Sequence, residues 1–268
     1  MSDAVALYTF AAGSTPLLID VPHAGTYVPT DLRAGLGAAA QILPDTDWHV
    51  HLLYEFALEQ GAGLMVATHS RYVVDLNRDP GGAALYPAAD NTELCPIRTF
   101  DNADIHLPDC RPDPAQIERR RERYWRPYHR ALRAALDEVV ARHGYAVLLD
   151  GHSIRSRVPR FFDGRLPDLN LGTADGASCA PALQQAAMEV LQSVGGFSAV
   201  CNGRFKGGYI TRHYGRPQQR VHALQLELAQ ECYMDEQPPY AWEPLRARAL
   251  GGVLRRLVRC LLDWKPPA

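Results

Sequence analysis

The chain has 268 residues, and 28 Lys+Arg against 30 Asp+Glu leave a formal net charge of −2. Hydrophobic residues at 47% and charged residues at 22% are ordinary globular usage, which excludes a disordered, collagen-like or coiled-coil chain. No apolar run approaches the roughly 20 residues of a membrane span, and a near-neutral chain without a basic run argues against a nucleic-acid or membrane partner.

In chain order, Met1 to Phe10 carries an early Asp3 and no basic stretch, so it does not read as a secretion signal. Leu17-Leu18-Ile19-Asp20-Val21 is an apolar run closed by Pro22 and reads as a buried strand. Gln41 to Gln60 has helical spacing at Leu52, Leu53, Phe56 and Ala57 and ends at Gly61 and Gly63. Leu64 to Ala67 reads as a second strand and Tyr72-Val73-Val74 as an extended piece after it. Residues 79 to 115 are rich in Pro, Gly, Asp and Asn and read as a long irregular segment of the kind that is usually functional or mobile. Pro114 to His143 is one long helix by spacing, with the arginines at 119, 120, 121 and 123 on a solvated face. Tyr145 to Leu149 is the clearest buried strand, closed by Asp150-Gly151-His152-Ser153. Residues 155 to 176 read as irregular, Pro181 to Val194 as a helix, Phe197 to Cys201 as a strand, and Gly203 to Gly215 as a mobile glycine-rich loop. Val221 to Leu228 alternates as a strand, and Trp242 to Trp264 closes the chain as an amphipathic helix. Alternating strands and helices without a linker or repeat indicate one α/β domain over 1–268. The six cysteines form no CxxC pair, and with no secretion signal they read as reduced thiols of a cytoplasmic protein.

The notable polar residues sit after expected strands, where open α/β sheets place their ligand sites. His23 follows the first strand and His152 the Tyr145–Leu149 strand. Two imidazoles there can converge on a metal, with Asp45 or Asp47 as a carboxylate ligand and one position left for water; otherwise each His caps a turn. Arg71, Asp75, Asn77 and Arg78 alternate with apolar residues, so several can share a face. Two guanidinium forks and an amide suit an anionic substrate, and local Asp–Arg pairing in a surface turn would give the same pattern. Glu227, between Leu226 and Leu228, is costly to bury unless paired or functional; facing the site it is a general base, and on an edge strand it points to solvent. The Gly203–Gly215 segment lacks a phosphate-loop pattern and reads as a substrate loop carrying Arg212 and His213. No GxSxG elbow is present, and none of the cysteines stands in a nucleophile context, so covalent catalysis is disfavoured. Of the 28 cations only Lys206 and Lys265 are lysines; a GC-rich genome explains most of that bias, leaving a few arginines for chemistry.

The ordered set Pro22-His23-Ala24-Gly25, Asp45-Thr46-Asp47-Trp48, Ser70-Arg71 with Asp75-Leu76-Asn77-Arg78, Asp150-Gly151-His152-Ser153, Asn202 with Phe205-Lys206-Gly207-Gly208-Tyr209, and Gln225-Leu226-Glu227 with Tyr233-Met234-Asp235-Glu236 closely resembles the N-formylglutamate amidohydrolase family. The resemblance runs over about residues 17–236. It implies the zinc-exopeptidase-like (phosphorylase/hydrolase-like) fold, a mixed, mostly parallel sheet sandwiched by helices, and hydrolysis of N-formyl-L-glutamate to formate and L-glutamate, the final step of a histidine-degradation route. It further implies Zn2+ held by His23, Asp47 and His152, although another divalent transition metal suits the same ligands. The superfamily often places Glu where Thr26 stands, which moves the carboxylate ligand to Asp47, with Asp45 as substitute. Glu227 matches the catalytic glutamate, Arg71 the arginine that polarises the scissile carbonyl, and Asn77 with Arg78 the pair that holds the substrate carboxylate. Arg212 and Tyr209 are further substrate contacts, and His213 is an alternate. His51, where relatives are expected to carry Asp, is an added group near the site or has no role. Two other readings stay open: an amidohydrolase for another N-acyl amino acid or small peptide, and a non-catalytic metal-binding protein of the same fold.

Overall fold

The computed structural model describes residues 5–85, 90–193 and 195–267. Residues 1–4, 86–89, 194 and 268 therefore lie outside the described residues, including the start of the N-terminal reading, part of the 79–115 segment and the last residue of the Pro181–Val194 helix. Seven strands, β1 (Tyr8–Ala11), β2 (Leu17–Val21), β3 (Gly63–Ala67), β4 (Ala146–Ile154), β5 (Leu169–Gly172), β6 (Ala199–Cys201) and β7 (Val221–Ala229), form one sheet in the order β1-β3-β2-β4-β7-β5-β6. β3, β2, β4 and β7 run parallel, as do β5 and β6, while β1 and β5 pair antiparallel to β3 and β7. The sheet is therefore mixed and mostly parallel.

The helices are α1 (Thr30–Arg33), α2 (Val50–Tyr54), α3 (Phe56–Glu59), α4 (Pro114–Arg120), α5 (Arg126–His143), α6 (Pro181–Ser193), α7 (Tyr209–Tyr214) and α8 (Pro244–Asp263). Both faces of the central strands are covered, so β2, β4 and β7 are buried at every residue, as in a parallel sheet between helical layers. One core packs Val147, Leu149, Leu224 and Leu226 against residues of α2, α6 and α8; the other packs Leu148, Ala223 and Met65 against Tyr128, Leu132 and Leu136 of α5. No helix among the described residues is long and apolar enough to cross a membrane.

Several elements differ from the sequence reading. β4 does not stop at Leu149; it continues through His152 because β7 pairs with it from Ala146–Val221 to Ile154–Ala229. Gly151 is a site of close packing within that strand, since a Cβ there would stand 2.8 Å from the Tyr54 ring. Only Val50–Glu59 of the 41–60 segment is helical, in two short pieces, because Leu43 (φ 51°) and His49 (φ 63°) take left-handed conformations that interrupt a helix. The Tyr72-Val73-Val74 piece is a buried turn, closed by Val73 N–H donating to Ser70 O, in which tertiary burial overrides β propensity. The 114–143 helix is split by a π turn over Arg121–Trp125. β1 lies where no element was expected, the short β5 lies in the 155–176 stretch read as irregular, and the 203–215 segment closes into α7.

Candidate active site

A strand's two-residue period puts Asp150 and His152 of β4 on one face, and the register Asp150–Gln225 and His152–Glu227 puts Gln225 and Glu227 of β7 beside them. Asp20 of β2 lies opposite Asp150, and His23 follows β2 two residues after its end. Because β2, β3, β4 and β7 are parallel, their carboxyl ends meet at one edge, which receives the 70–78 segment after β3. His23, Asp47, Arg71, Asn77, Arg78, His152 and Glu227 all line the cavity formed there.

His23, Asp47 and His152 are each buried, and one ligand atom of each lies within 4.8 Å of the other two. Asp47 Oδ2 is 3.0 Å from His152 Nδ1 and 3.9 Å from His23 Nδ1. The opposite ring nitrogens rest on carboxylates: His23 Nε2 is 2.8 Å from Asp75 Oδ1, and His152 Nε2 is 2.8 Å from Asp150 Oδ1. Such carboxylates fix the ring and raise the basicity of a metal-ligating imidazole. His23 Nδ1 and Asp47 Oδ1 are buried with no hydrogen-bond partner among the described residues, an expensive arrangement for polar atoms that a cation between them would relieve. The donor set therefore fits a divalent metal of the nitrogen- and oxygen-binding kind. Burial, reinforced by Arg71, lowers the His23 pKa and favours the neutral ring that ligation requires. Burial opposes charge on His152, but Asp150 and Asp47 outweigh it and hold its pKa well above the ordinary value. The His152 shift shows that the carboxylates of Asp150 and Asp47 draw positive charge to that side of the pocket.

Asp47 is placed by its own turn: its N–H donates to His23 O at 3.1 Å, and Ser153 N–H donates to its Oδ2 at 3.1 Å. Gln230 Nε2 donates to Thr46 O, and Tyr233 Oη donates to Trp48 O, holding the turn on both sides. Arg71 donates to Asp75 Oδ2 at 2.6 Å and to Asp45 O at 3.3 Å, lies 3.6 Å from Asp47 Oδ1, and covers the Phe100 ring. Despite burial, His23, Arg71 and Arg78 hold the Asp75 carboxyl well below the usual range. Glu227 accepts from Gln225 Nε2 at 3.0 Å; burial, and then Asp47 against the opposing pull of His152, pushes it up to about 7. A buried carboxyl near 7 beside a ligand cluster has the proton affinity of a general base at neutral pH.

Asn77 is bound inside the wall. Its Oδ1 accepts from Ile210 N–H at 2.8 Å, and its Nδ2 stands 2.9 Å from His152 Nε2 and 3.4 Å from Asp150 Oδ2. Gly208 presses on it: a Cβ there would come 2.3–2.5 Å from the Asn77 amide atoms. Arg78 donates to Thr92 O, Thr92 Oγ1 and Asn77 O, all neutral oxygens. The π turn serves this segment, because it brings Trp125 Nε1 to donate to Arg78 O, and its neighbour His129 sits 2.9 Å from Leu76 O.

Five sequence candidates land elsewhere. Asp45 is turned away from the ligand group, accepting from Tyr72 Oη at 2.6 Å and from Phe100 N–H, so it is not the substitute ligand. His51 lies on α2, which packs on the opposite face of the sheet. Tyr209 stacks on His213 and meets Trp125 and His129 edge-on in an aromatic cluster behind the cavity wall. Arg212 is exposed on α7 and donates to Gly207 O at 2.8 Å. None of these side chains is among the described residues lining the cavity. Sequence reasoning missed Asp75 and Asp150 as anchors of the two rings and Arg204 as a lining cation. The first two were detectable only as acids two residues from other site residues, Asn77 and His152.

The N-formylglutamate amidohydrolase family model matches residues 15–234. An N-formylglutamate deformylase of Pseudomonas aeruginosa is 50% identical over 256 residues, and one of Pseudomonas putida is 46% identical over 256, each alignment covering 96% of both chains. A crystal structure of N-formylglutamate amidohydrolase from Ralstonia eutropha JMP134 superposes with a TM-score of 0.79 at 30% identity, covering 96% of this chain and 98% of that one. A protein from Agrobacterium tumefaciens shares the fold with a TM-score of 0.74 at 18% identity, covering 96% of this chain and 95% of its own. With the family pattern spanning most of the chain and half of all aligned residues identical to a curated member, this chain belongs to the N-formylglutamate amidohydrolase family.

Proposed function

We propose that the chain is a single-domain, zinc-dependent deformylase that hydrolyses N-formyl-L-glutamate to formate and L-glutamate. The observation that carries the reading is the buried His23–Asp47–His152 group, with its orphaned ligand atoms, opening into a cavity that also holds Glu227 and arginines. The printed names of the two Pseudomonas relatives support the substrate. The same reading puts the enzyme in the cytoplasm at the final step of a histidine-degradation route.

His23, Asp47 and His152 would hold the metal, which when bound supplies Lewis-acid polarisation and acidifies water. Glu227 accepts a proton from the water that attacks the formyl carbon and returns it to the amide nitrogen as the C–N bond breaks, so the products are formate and the free amino acid. Its pKa of about 7 allows both transfers near neutral pH. Arg71, locked by Asp75, presents a fixed guanidinium to the negative charge that develops on the formyl oxygen. Arg78, anchored through Thr92 and Asn77 O, binds the α-carboxylate, and Asn77 steadies His152.

A formate-release assay with a panel of N-formyl and N-acetyl amino acids tests the reading. Preference for N-formyl-L-glutamate supports it, and preference for acetyl substrates overturns it.

A further inference from the structure

The Glu227 carboxyl makes one hydrogen bond among the described residues, accepting from Gln225 Nε2 at 3.0 Å. Both side chains are buried and line the cavity, two residues apart on one face of β7. A carboxylate carried on rotatable bonds has several staggered positions, so a single tether decides which one it holds. Asp47 repels it and Arg71 attracts it, so without the tether it is drawn toward the guanidinium.

The direction of the Gln225 amide is itself fixed. Its Oε1 accepts from Gly208 N–H at 2.7 Å. A backbone N–H only donates, so the amide oxygen must face it, and Nε2, which also only donates, is left facing Glu227. A flipped amide would set donor against donor at Gly208 and oxygen against carboxylate at Glu227. Gly208 is held in turn by the sheet. Gly172 of β5 pairs with Gln225 in antiparallel register, and a Cβ on Gly172 would stand 2.5 Å from Gly207 N, so the 206–208 turn lies directly on the strand. Ala174 N–H donates to Lys206 O at 2.6 Å, and Gly207 takes a φ of +106°, which glycine adopts without strain. The turn therefore has a fixed place beside β7, from which its next N–H reaches Gln225.

Resting on the reading of Glu227 as the general base, we propose that Gln225 is the positioning residue of that carboxylate, with Gly208 N–H setting the direction of the Gln225 amide. One carboxylate oxygen is engaged by the tether, which leaves the other to take the proton. The glycine-rich segment before α7 then serves the base through this relay of two hydrogen bonds.

The test compares wild type with Gln225→Met, which keeps the length and loses both bonds, and Gln225→Glu, which as a carboxylate keeps the acceptor for Gly208 and loses the donor to Glu227. Thermal melts and zinc content verify the fold and the ligand group. On N-formyl-L-glutamate both variants are expected to lose about 10- to 100-fold in kcat, with KM within about threefold of wild type. In a Glu227→Gln background, Gln225→Met is expected to change kcat less than about threefold, because the group it acts through is already gone. A merely structural role predicts recovery by Gln225→Glu and losses that add. Wild-type kcat in either variant, or additive losses in the double variant, overturns the assignment. Should Gln225→Met not fold, the kcat and structure of Gln225→Glu decide alone. A wild-type protein that does not turn over N-formyl-L-glutamate, or a Glu227→Gln variant that matches the wild-type rate, is a failure of the reading above. Gln225 is then judged from crystal structures of wild type and Gln225→Met: a Glu227 carboxylate that leaves its wild-type position supports the tether, and one that stays overturns it.

Discussion

Replacing Asp75 by Asn separates the metal-supporting network from a merely structural one. Asp75 is fully buried; its Oδ1 accepts from His23 Nε2 at 2.8 Å and from Asn77 N–H at 2.9 Å, and its Oδ2 accepts from Arg71 at 2.6 Å. Asparagine keeps the shape and one carbonyl acceptor, but its amide turns a donor toward the Arg71 guanidinium. Breaking a buried ion pair costs about 3–5 kcal/mol. Arg71 retains Asp47 at 3.6 Å and Asp45 O at 3.3 Å, so the lower end applies, about 3 kcal/mol. For a chain of this size that is a drop in Tm of roughly 5–10 °C. Separately, the His23 ring loses its anionic partner, and loss of such a partner weakens metal affinity about 10- to 100-fold. Thermal melts and zinc titration against a competing chelator read the two effects, with Asp137→Asn on the exposed face of α5 as a control. A variant that melts within about 1 °C of wild type and binds zinc equally well would refute the argued roles of Asp75.

Other outcomes follow from the same geometry. Glu227→Gln keeps the Gln225 neighbour and the metal ligands but removes the base, so kcat should fall about 10²–10⁴-fold while metal content stays at the wild-type level. Near-native turnover would remove Glu227 from the mechanism. The base acts as the carboxylate, and burial sets its pKa at about 7, so kcat/KM should drop about tenfold per pH unit below that value and level off above it. Glu227→Gln should lose this limb, and a pH–rate profile of both proteins checks it. Gly208→Ala places a methyl group 2.3–2.5 Å from the Asn77 amide, so Asn77 must move off His152 and Ile210. A fall in kcat/KM of at least about tenfold is expected; steady-state kinetics at wild-type rates would show that the contact is dispensable.

The parts of the site legible in the sequence are those whose side chains stand next to clear strand signals. His23 follows an unmistakable apolar run, and Asp150-Gly151-His152 ends another, so both imidazoles could be placed at one sheet edge. Their shared cavity depends on β2 and β4 being neighbours, which the parallel pairing supplies and no local pattern specifies. The sequence offers two acids two residues apart for the third ligand; the fold separates them, because Asp45 is captured by Tyr72 and the Phe100 N–H while Asp47 turns to the histidines. The glycines at 203, 207, 208 and 215 suggest a loop carrying Arg212 and His213, and the family resemblance adds Tyr209 as a substrate contact. The segment instead closes into a short helix, which sends Tyr209 into an aromatic cluster and Arg212 to the surface and leaves Gly208 against the site. The anchoring roles of Asp75 and Asp150 arise from contacts within the folded site, His23 lying 52 residues before Asp75 in the chain. The arginine excess of the composition is mostly surface, but Arg71, Arg78 and Arg204 share one cavity.

On the proposed reading, the buried His23–Asp47–His152 group makes the protein a metal-dependent deformylase. Its most direct test is formate release from N-formyl-L-glutamate by the wild-type protein before chelation, after complete metal removal, and after zinc is restored. Activity should vanish with the metal and return at about one zinc per chain. Formate release that continues undiminished from the metal-free protein would contradict the account.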